Sequence, residues 1–346
     1  MLSYLLTQKS WIVFVYAFAI SVESIIIEYL TTSFLQFSPI MLSATSITLA
    51  GIMLLIVAAF FFKRNKLIPI LFTKSWKILI LASLSLSLGI FTWYDSINRI
   101  GASKEALIAG PIEIVIIVVL ARIFLNERLN KFQIIGISIG LMGFFMALAS
   151  DVDIVVVSNN NAVKTTLTSV SSLLSIISFG DIEAILSAFG FAIAVLFLSK
   201  LILKYSSIEV AGASMFTSGL LLGGFLILGL FFYNTVPLIS SPDELSLPRQ
   251  PSLIVTVTIL ILFSLIPFIG SLSYSSGLGR IGASLTATIG SSSILITIVI
   301  QMMLKELGFA SHLPENIYLA FLGGVIGFLG IYIIHVPELL ISKKTK

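Results

Sequence analysis

The segment RIGAS stands at residues 99–103 and occurs again at residues 280–284, an offset of 181. A chain that is 58% hydrophobic can repeat five letters by chance, so a duplication needs further landmarks. Glu127 and Glu306 follow the two copies at nearly the same offset, in LNERL and LKEL. A glycine series with the spacing GxxxGxxG then follows each glutamate, with an offset of 187. Three landmarks in the same order at similar offsets predict an internal duplication.

The composition places the chain in a lipid bilayer. It has 346 residues, a mean hydropathy of +1.12 and 10% charged residues, against about 25% in an average soluble domain. A helix needs about 20 apolar residues to cross the bilayer, and the runs are too long for the alternation of a β-barrel. The sequence therefore predicts an all-α polytopic membrane protein with ten transmembrane helices, at residues 11–33, 40–62, 78–97, 103–123, 132–150, 183–203, 209–233, 252–276, 284–304 and 316–336.

The distribution of Lys and Arg predicts the orientation. With both termini in the cytoplasm, 15 of the 20 basic residues fall on the cytoplasmic side, as expected for a multi-pass protein of the plasma membrane. Because each unit has five helices, the second copy enters the membrane from the opposite side. We predict two inverted repeats, at residues 1–150 and 183–346, joined by an outer linker at 151–182. Inverted repeats are typical of secondary transporters, which bind substrate near the midplane.

The repeat unit resembles a known family. Residues 99–147 combine a small-residue start of the fourth helix, a proline within it, Glu-Arg-Leu and a glycine-bearing fifth helix. Gly180-Asp181 is similar to the start of a second unit. This pattern resembles the drug/metabolite transporter superfamily, specifically its EamA-type branch. The resemblance implies ten helices in two repeats, with helices five and ten outside the cavity. The chain departs from the family at Glu23, where small residues are common, and in lacking a proline in helix nine.

Two carboxylates are predicted near the midplane, because Glu23 and Glu113 lie about halfway along helices one and four. A charged residue there costs a few kcal/mol in lipid, so both are candidates for a substrate or proton site. In the alternative interpretation, both glutamates are neutral and hydrogen-bonded to a neighbouring helix. Pro111 leaves the carbonyl of Leu107 without its helical donor, which is tolerated beside a cavity. A kink that serves only packing remains the alternative.

Hydroxyl side chains are predicted to complete the site from the second half. Ser284, Thr288 and Ser291 follow one another at spacings of four and three, so they share one face of helix nine. That helix is the counterpart of helix four, which favours a cavity lining. Small hydroxyl residues also serve close helix packing in membranes.

Charged residues gather toward the outer ends of helices one, three and four. We expect an ion-pair network or gate there, in which Arg99 or Lys104 neutralises Glu28. Trp93 and Tyr94 lie at a depth typical of interface anchors, and stacking on a planar substrate is the alternative. The predicted network contains Glu28, Asp95, Arg99, Lys104 and Glu105.

The glycine series predict close helix contacts. A GxxxG face lets two backbones approach, either within the bundle or between the subunits of a homodimer, and both alternatives stay open. The glycines concerned are Gly136, Gly140 and Gly143 in helix five, and Gly323, Gly327 and Gly330 in helix ten.

These features favour one function. We expect a secondary transporter that exports small metabolites or amphipathic compounds, with alternating access and with proton coupling through the midplane carboxylates. Its partners are then a small-molecule substrate and the lipid bilayer, with no nucleic acid and no cofactor. An enzyme is not expected, since cysteine is absent, His312 and His335 lie far apart, and no nucleotide-binding loop is present. A non-transporting membrane scaffold or regulator is the alternative.

Overall fold

The chain is helical throughout the part that the structure describes. The computed structural model describes residues 11–34, 36–62, 75–125, 131–150, 177–232, 253–281, 283–309, 313–314 and 316–344. Ten helices occur in these ranges; the first continues as a π-helix (Tyr29–Phe34), and the ninth consists of two pieces. They are α1 (Trp11–Glu28), α2 (Pro39–Phe62), α3 (Trp76–Ile100), α4 (Ala102–Leu125), α5 (Lys131–Ala149), α6 (Phe179–Ile202), α7 (Ser207–Phe232), α8 (Leu253–Ile281), α9a (Ala283–Gly290), α9b (Ser293–Glu306) and α10 (Ile317–Lys344).

The first RIGAS segment forms the junction between α3 and α4. Gly101 stands between the two helices with a φ of 82°, a left-handed conformation that favours glycine. In the second copy, α8 ends at Ile281 and α9a begins at Ala283, while Gly282 lies outside the described residues. The first copy therefore lies at the α3–α4 junction, and the described residues of the second lie at the end of α8 and the start of α9a.

The sixth helix begins at Phe179, four residues before the predicted start at residue 183. Ser178 and Asp181 form a capping box: the Asp181 N–H donates to Ser178 Oγ at 3.2 Å, and the Ser178 N–H donates to Asp181 Oδ2 at 2.7 Å. This reciprocal cap satisfies two backbone donors at the helix start. The hydropathy pattern missed this polar first turn, and the boundary at residue 183 is corrected to 179.

The prediction of one continuous helix over residues 284–304 is wrong. The helix is interrupted after Gly290, and α9b begins at Ser293. Ser292 Oγ donates to the carbonyl oxygen of Ile289 at 2.6 Å. A hydroxyl that bonds to nearby backbone competes with the helical hydrogen bonds, and glycine lowers helix stability at the same place.

The bundle is polar inside and apolar outside. Large apolar side chains such as Phe60 and Leu253 are exposed, whereas serines such as Ser21, Ser83 and Ser218 are buried. Six described helices are long and apolar enough to cross a membrane, namely α1, α2, α3, α6, α7 and α8, and shorter apolar stretches occur at Ile134–Met146 and Ile317–Ile333. In water such an exterior would aggregate, so these faces suit lipid. The protein is a multi-pass membrane protein.

The most extensive helix contacts pair α1 with α8, α3 with α6, α2 with α7 and α5 with α10. The pairing of α5 with α10 depends on glycine. A Cβ on Gly143 would lie 2.5 Å from the nitrogen of Gly327, and a Cβ on Gly330 would overlap the nitrogen of Gly140. The glycine faces of helices five and ten are thus in contact with each other within one chain.

Candidate substrate cavity

A cavity of about 180 Å³ lies between the two halves of the chain. Side chains from α1 to α4 and from α6 to α9 line it, and no described residue of α5 or α10 does. This arrangement agrees with the position that the family resemblance implied for helices five and ten. Seven lining residues carry a carboxylate or an aromatic ring: Glu23, Glu105, Glu113, Tyr16, Trp93, Phe191 and Tyr274.

Glu23 lines the cavity from α1, as its midspan position predicted. Its carboxylate accepts a hydrogen bond from the Tyr94 hydroxyl at 2.9 Å, and that hydroxyl lies 3.2 Å from Ser46 Oγ. All three side chains are buried. A chain of hydrogen bonds across α1, α3 and α2 therefore holds the carboxylate in place.

Glu105 belongs to the cavity and not to the outer ion-pair network in which we expected it. Its Oε2 accepts from the Trp93 indole N–H at 3.1 Å, and its Oε1 accepts from Ser187 Oγ at 3.4 Å. Consecutive residues of an α-helix point about 100° apart, so Glu105 and its neighbour Lys104 contact different side chains. Trp93 and Tyr94 are buried in the bundle and do not lie at its lipid-facing surface.

Glu113 also lines the cavity, from the middle of α4. No described residue donates a hydrogen bond to its carboxylate, unlike those of Glu23 and Glu105. It follows Glu105 by eight residues, which is about 12 Å along a helix. The ring of Pro111 lies on the side of α4 that faces α10, where it would be 3.2 Å from a Cβ on Gly327. Pro111 therefore lies at the contact between α4 and α10 and does not line the cavity.

The hydroxyl face predicted for helix nine is seen only in part. Ser291 is buried and lines the cavity beside the interruption of the helix. Ser284 and Thr288 lie on α9a, but their side chains are outside the described part of the structure. Additional hydroxyls come from Ser271 and Ser275 of α8.

Sequence reasoning missed three of the four aromatic rings that form two pairs in the cavity lining, and it gave stacking by Trp93 only as an alternative. Tyr16 of α1 and Tyr274 of α8 have ring centroids 4.6 Å apart, and the ring of Trp93 of α3 lies 5.9 Å from that of Phe191 of α6. Each pair joins the first half to the second. In a chain with 26 Phe and 9 Tyr, no local signal separates Tyr16, Tyr274 and Phe191 from the rings that face lipid.

Arg99 and Lys104 form ion pairs, and two of their acidic partners are residues that the sequence did not suggest. Arg99 pairs with Asp95 and with Glu183, both at 3.1 Å. Lys104 pairs with Asp181 at 3.0 Å, and both side chains are nearly fully buried. These pairs join the end of α3 and the start of α4 to the start of α6.

Glu28 bridges the first RIGAS segment to the second half. Its carboxylate accepts from the backbone N–H of Ala102 at 2.9 Å and from Nε2 of Gln301. Gln301 Oε1 in turn accepts from the backbone N–H of Ser103 at 3.0 Å and from Ser103 Oγ. Gln301 was missed, although a lone amide inside an apolar helix is a recognisable signal of interhelical hydrogen bonding.

The sequence of the first five helices matches a transporter family. Residues 9–149 match the family model described as "EamA-like transporter family", which belongs to the drug/metabolite transporter superfamily. The family resemblance seen in the sequence is thereby confirmed. Members of this family are membrane transporters and are typically not enzymes.

Known structures support the fold but not the substrate. None of the curated proteins matches the chain. Among solved structures, 27 chains match. One of them, described only as the crystal structure of a protein, aligns with a TM-score of 0.59 and 14% identity, over 95% of this chain and 98% of its own. At that identity the likeness establishes the fold alone.

Proposed function

We propose that the protein is a secondary transporter that works by alternating access of two inverted five-helix repeats. The observation that carries this proposal is the position of the cavity. It is lined from eight helices, four in each proposed repeat, and three carboxylates face it. The proposed repeats are residues 1–150 and 183–346, with 151–182 as the linker. A site between related bundles is suited to a rocking movement that exposes it to one side at a time.

The helix pairing supports the inverted repeat. An exchange of the two repeats replaces α1–α5 by α6–α10 and the reverse. It converts the pair α1–α8 into the pair α6–α3 and leaves the pairs α2–α7 and α5–α10 unchanged. The glycine contacts follow the same rule with the sequence offset of 187. A Cβ on Gly143 would contact Gly323 O and Gly327 N, and a Cβ on Gly330 would contact Gly136 O and Gly140 N. Residue numbers rise along α5 as they fall along α10 in these contacts, so the two helices run antiparallel.

The ion pairs of Arg99 and Lys104, together with the Glu28–Gln301 bridge, are proposed as the outer gate. They connect α1, α3 and α4 of the first repeat to α6 and α9b of the second, all at one end of the bundle. Opening that end requires these bonds to break together. Buried ion pairs cost several kcal/mol when one partner is removed, so water or substrate must replace the lost contacts.

Labelling can test alternating access because the natural chain contains no cysteine. Ser271 lines the cavity, so Ser271→Cys is expected to react with a membrane-impermeant thiol reagent from either side of sealed vesicles. Thr258→Cys, on the exposed face of α8, is the matched control and is expected to stay unlabelled in lipid. A static scaffold would expose position 271 from one side at most.

Export and proton coupling form the finer part of the proposal. Two cavity carboxylates, Glu23 and Glu113, lie at midspan, and a carboxylate that alternately holds a proton or a substrate would couple their movements. We expect substrate uptake into liposomes with an acidic interior to differ from substrate uptake without a pH gradient. Equal flux in the two conditions would contradict coupling.

Membrane orientation is proposed from the distribution of basic residues, with both termini in the cytoplasm and the protein in the plasma membrane. Reporter tags fused to each end would both be inaccessible in intact cells. Cleavage of either tag by protease added outside the cells would contradict this orientation.

A further inference from the structure

The ionisable side chains of the described cavity lining include acids but no bases. Three carboxylates face it, and no Lys, Arg or His occurs among the described lining residues. Lys104 and Arg99, the described cations nearest in sequence to Glu105, make ion pairs with Asp181, Asp95 and Glu183 beyond the cavity wall. An anionic substrate would meet carboxylates without a compensating cation, which is costly in a desolvated site.

The three carboxylates are not equally available. Glu23 receives a hydrogen bond from Tyr94, and Glu105 receives hydrogen bonds from Trp93 and Ser187. Glu113 has no donor among the described residues and is the least buried of the three, facing the cavity. A buried polar group normally has a hydrogen-bond partner, so a ligand that donates to Glu113 would complete the site.

Aromatic rings line the same cavity as this carboxylate. Tyr16 and Tyr274, with ring centroids 4.6 Å apart, form one pair in the lining. Trp93 and Phe191 form a second pair in the lining. The faces of aromatic rings attract organic cations and also stack on planar apolar groups.

The arrangement does not suit a coordinated metal ion. The described residues contain no group of three His, Cys, Asp or Glu side chains close enough to bind one ion. Glu105 and Glu113 are separated by about 12 Å along α4.

The cavity volume of about 180 Å³ is below the roughly 300–1,000 Å³ of pockets for drug-sized ligands, so the cavity suits a smaller molecule.

We infer that the cavity binds a small amphipathic organic cation, a primary amine with an aromatic or apolar body. Its ammonium group donates to Glu113, and its body packs in the cavity against the Tyr16–Tyr274 pair and Trp93. This inference rests on the proposed transport function, because it names the substrate class of the same cavity.

Three indole compounds with one body and different charge provide the test. Tryptamine is a cation at neutral pH, tryptophol is neutral, and indole-3-propionate is an anion. Binding is measured by calorimetry on the purified full chain in lipid nanodiscs. We expect tryptamine to bind at least about tenfold more tightly than tryptophol, since a hydrogen bond to a charged group is worth roughly that factor or more. Indole-3-propionate should bind more weakly still.

Matched variants locate the interaction. Glu113→Gln keeps the shape of the side chain and is expected to weaken tryptamine at least about tenfold while leaving tryptophol within about twofold. Glu306→Gln, at an exposed position at the end of α9b, is the control and should bind all three compounds as the natural chain does. Melting temperatures of both variants identify any change that results from misfolding.

The possible results separate the substrate class from transport. Tight binding of indole-3-propionate, equal binding of the three compounds or no binding of tryptamine overturns the cation assignment. An unchanged tryptamine affinity in folded Glu113→Gln overturns the role of Glu113. If tryptamine binds but does not cross liposomes that hold the protein, the substrate-class inference stands for binding and the transport proposal fails. If only the anion is transported, transport stands and the cation assignment fails.

Discussion

The contact between α5 and α10 gives the sharpest test of the fold. In Gly143→Ala the new methyl group would lie 2.5 Å from Gly327 N and 2.6 Å from Gly323 O. Favourable contacts between non-bonded heavy atoms lie at roughly 3.5–4.0 Å, so the two helices must separate by about 1 Å. Neither neighbouring atom can rotate away, because both belong to backbone. We expect the free energy of unfolding to fall by about 1–3 kcal/mol, the usual cost of overpacking.

Gly140→Ala, three residues earlier on the same helix, is the matched control. A Cβ on Gly140 would meet no atom within 4 Å. Both substitutions gain the same helix propensity, about 1 kcal/mol, so the difference between them isolates the steric cost. We expect Gly140→Ala to be as stable as the natural chain or up to about 1 kcal/mol more stable.

The assay is equilibrium unfolding by SDS in mixed micelles, followed by far-ultraviolet circular dichroism. Gly330→Ala should behave as Gly143→Ala does, because its Cβ would overlap the nitrogen of Gly140. Equal stability of Gly143→Ala and Gly140→Ala would refute the helix contact. A Gly143→Ala variant that unfolds normally but no longer forms a dimer would instead assign the glycine face to subunit association.

Three further changes probe the polar contacts. Lys104→Met removes the cation that pairs with Asp181 and should cost about 3–5 kcal/mol of unfolding free energy, with most of the loss recovered by adding Asp181→Asn. Full additivity of the two changes would exclude the pairing. Tyr94→Phe removes the donor to Glu23 and should cost about 1–3 kcal/mol in the same assay, whereas an unchanged stability would show that the bond contributes nothing. Gln301→Leu breaks the bridge to Glu28 in the proposed outer gate, so outside labelling of a cavity cysteine should become faster, and unaltered labelling would exclude Gln301 from the gate.

The architecture was largely predictable because its signals are local or periodic. RIGAS marked the α3–α4 and α8–α9a junctions, and the apolar runs predicted all ten helices within a few residues, apart from the ends of α6, α8 and α10. The interruption after Gly290 was missed, since hydropathy does not register how Ser292 bonds to the backbone. Capping at Ser178 was missed for the same reason.

The site was predictable only where a residue was unusual for its surroundings. Glu23 and Glu113 were identified because midspan carboxylates are rare, and both line the cavity. Glu105 was assigned to the outer network because it follows Lys104 in the chain. Its actual partners, Trp93 and Ser187, lie 12 and 82 residues away, and only folding brings them together.

By itself, the sequence determined that this chain lies in a membrane as a bundle of ten helices with duplicated landmarks, because hydropathy and glycine spacing are properties of short segments. The tertiary structure decided which side chains share the cavity and which form ion pairs beside it. Residues one position apart on a helix point about 100° from each other, so the packing of neighbouring helices determines their contacts. Lys104 and Glu105, adjacent in the chain, therefore have different surroundings: one pairs with Asp181, and the other lines the cavity beside Trp93.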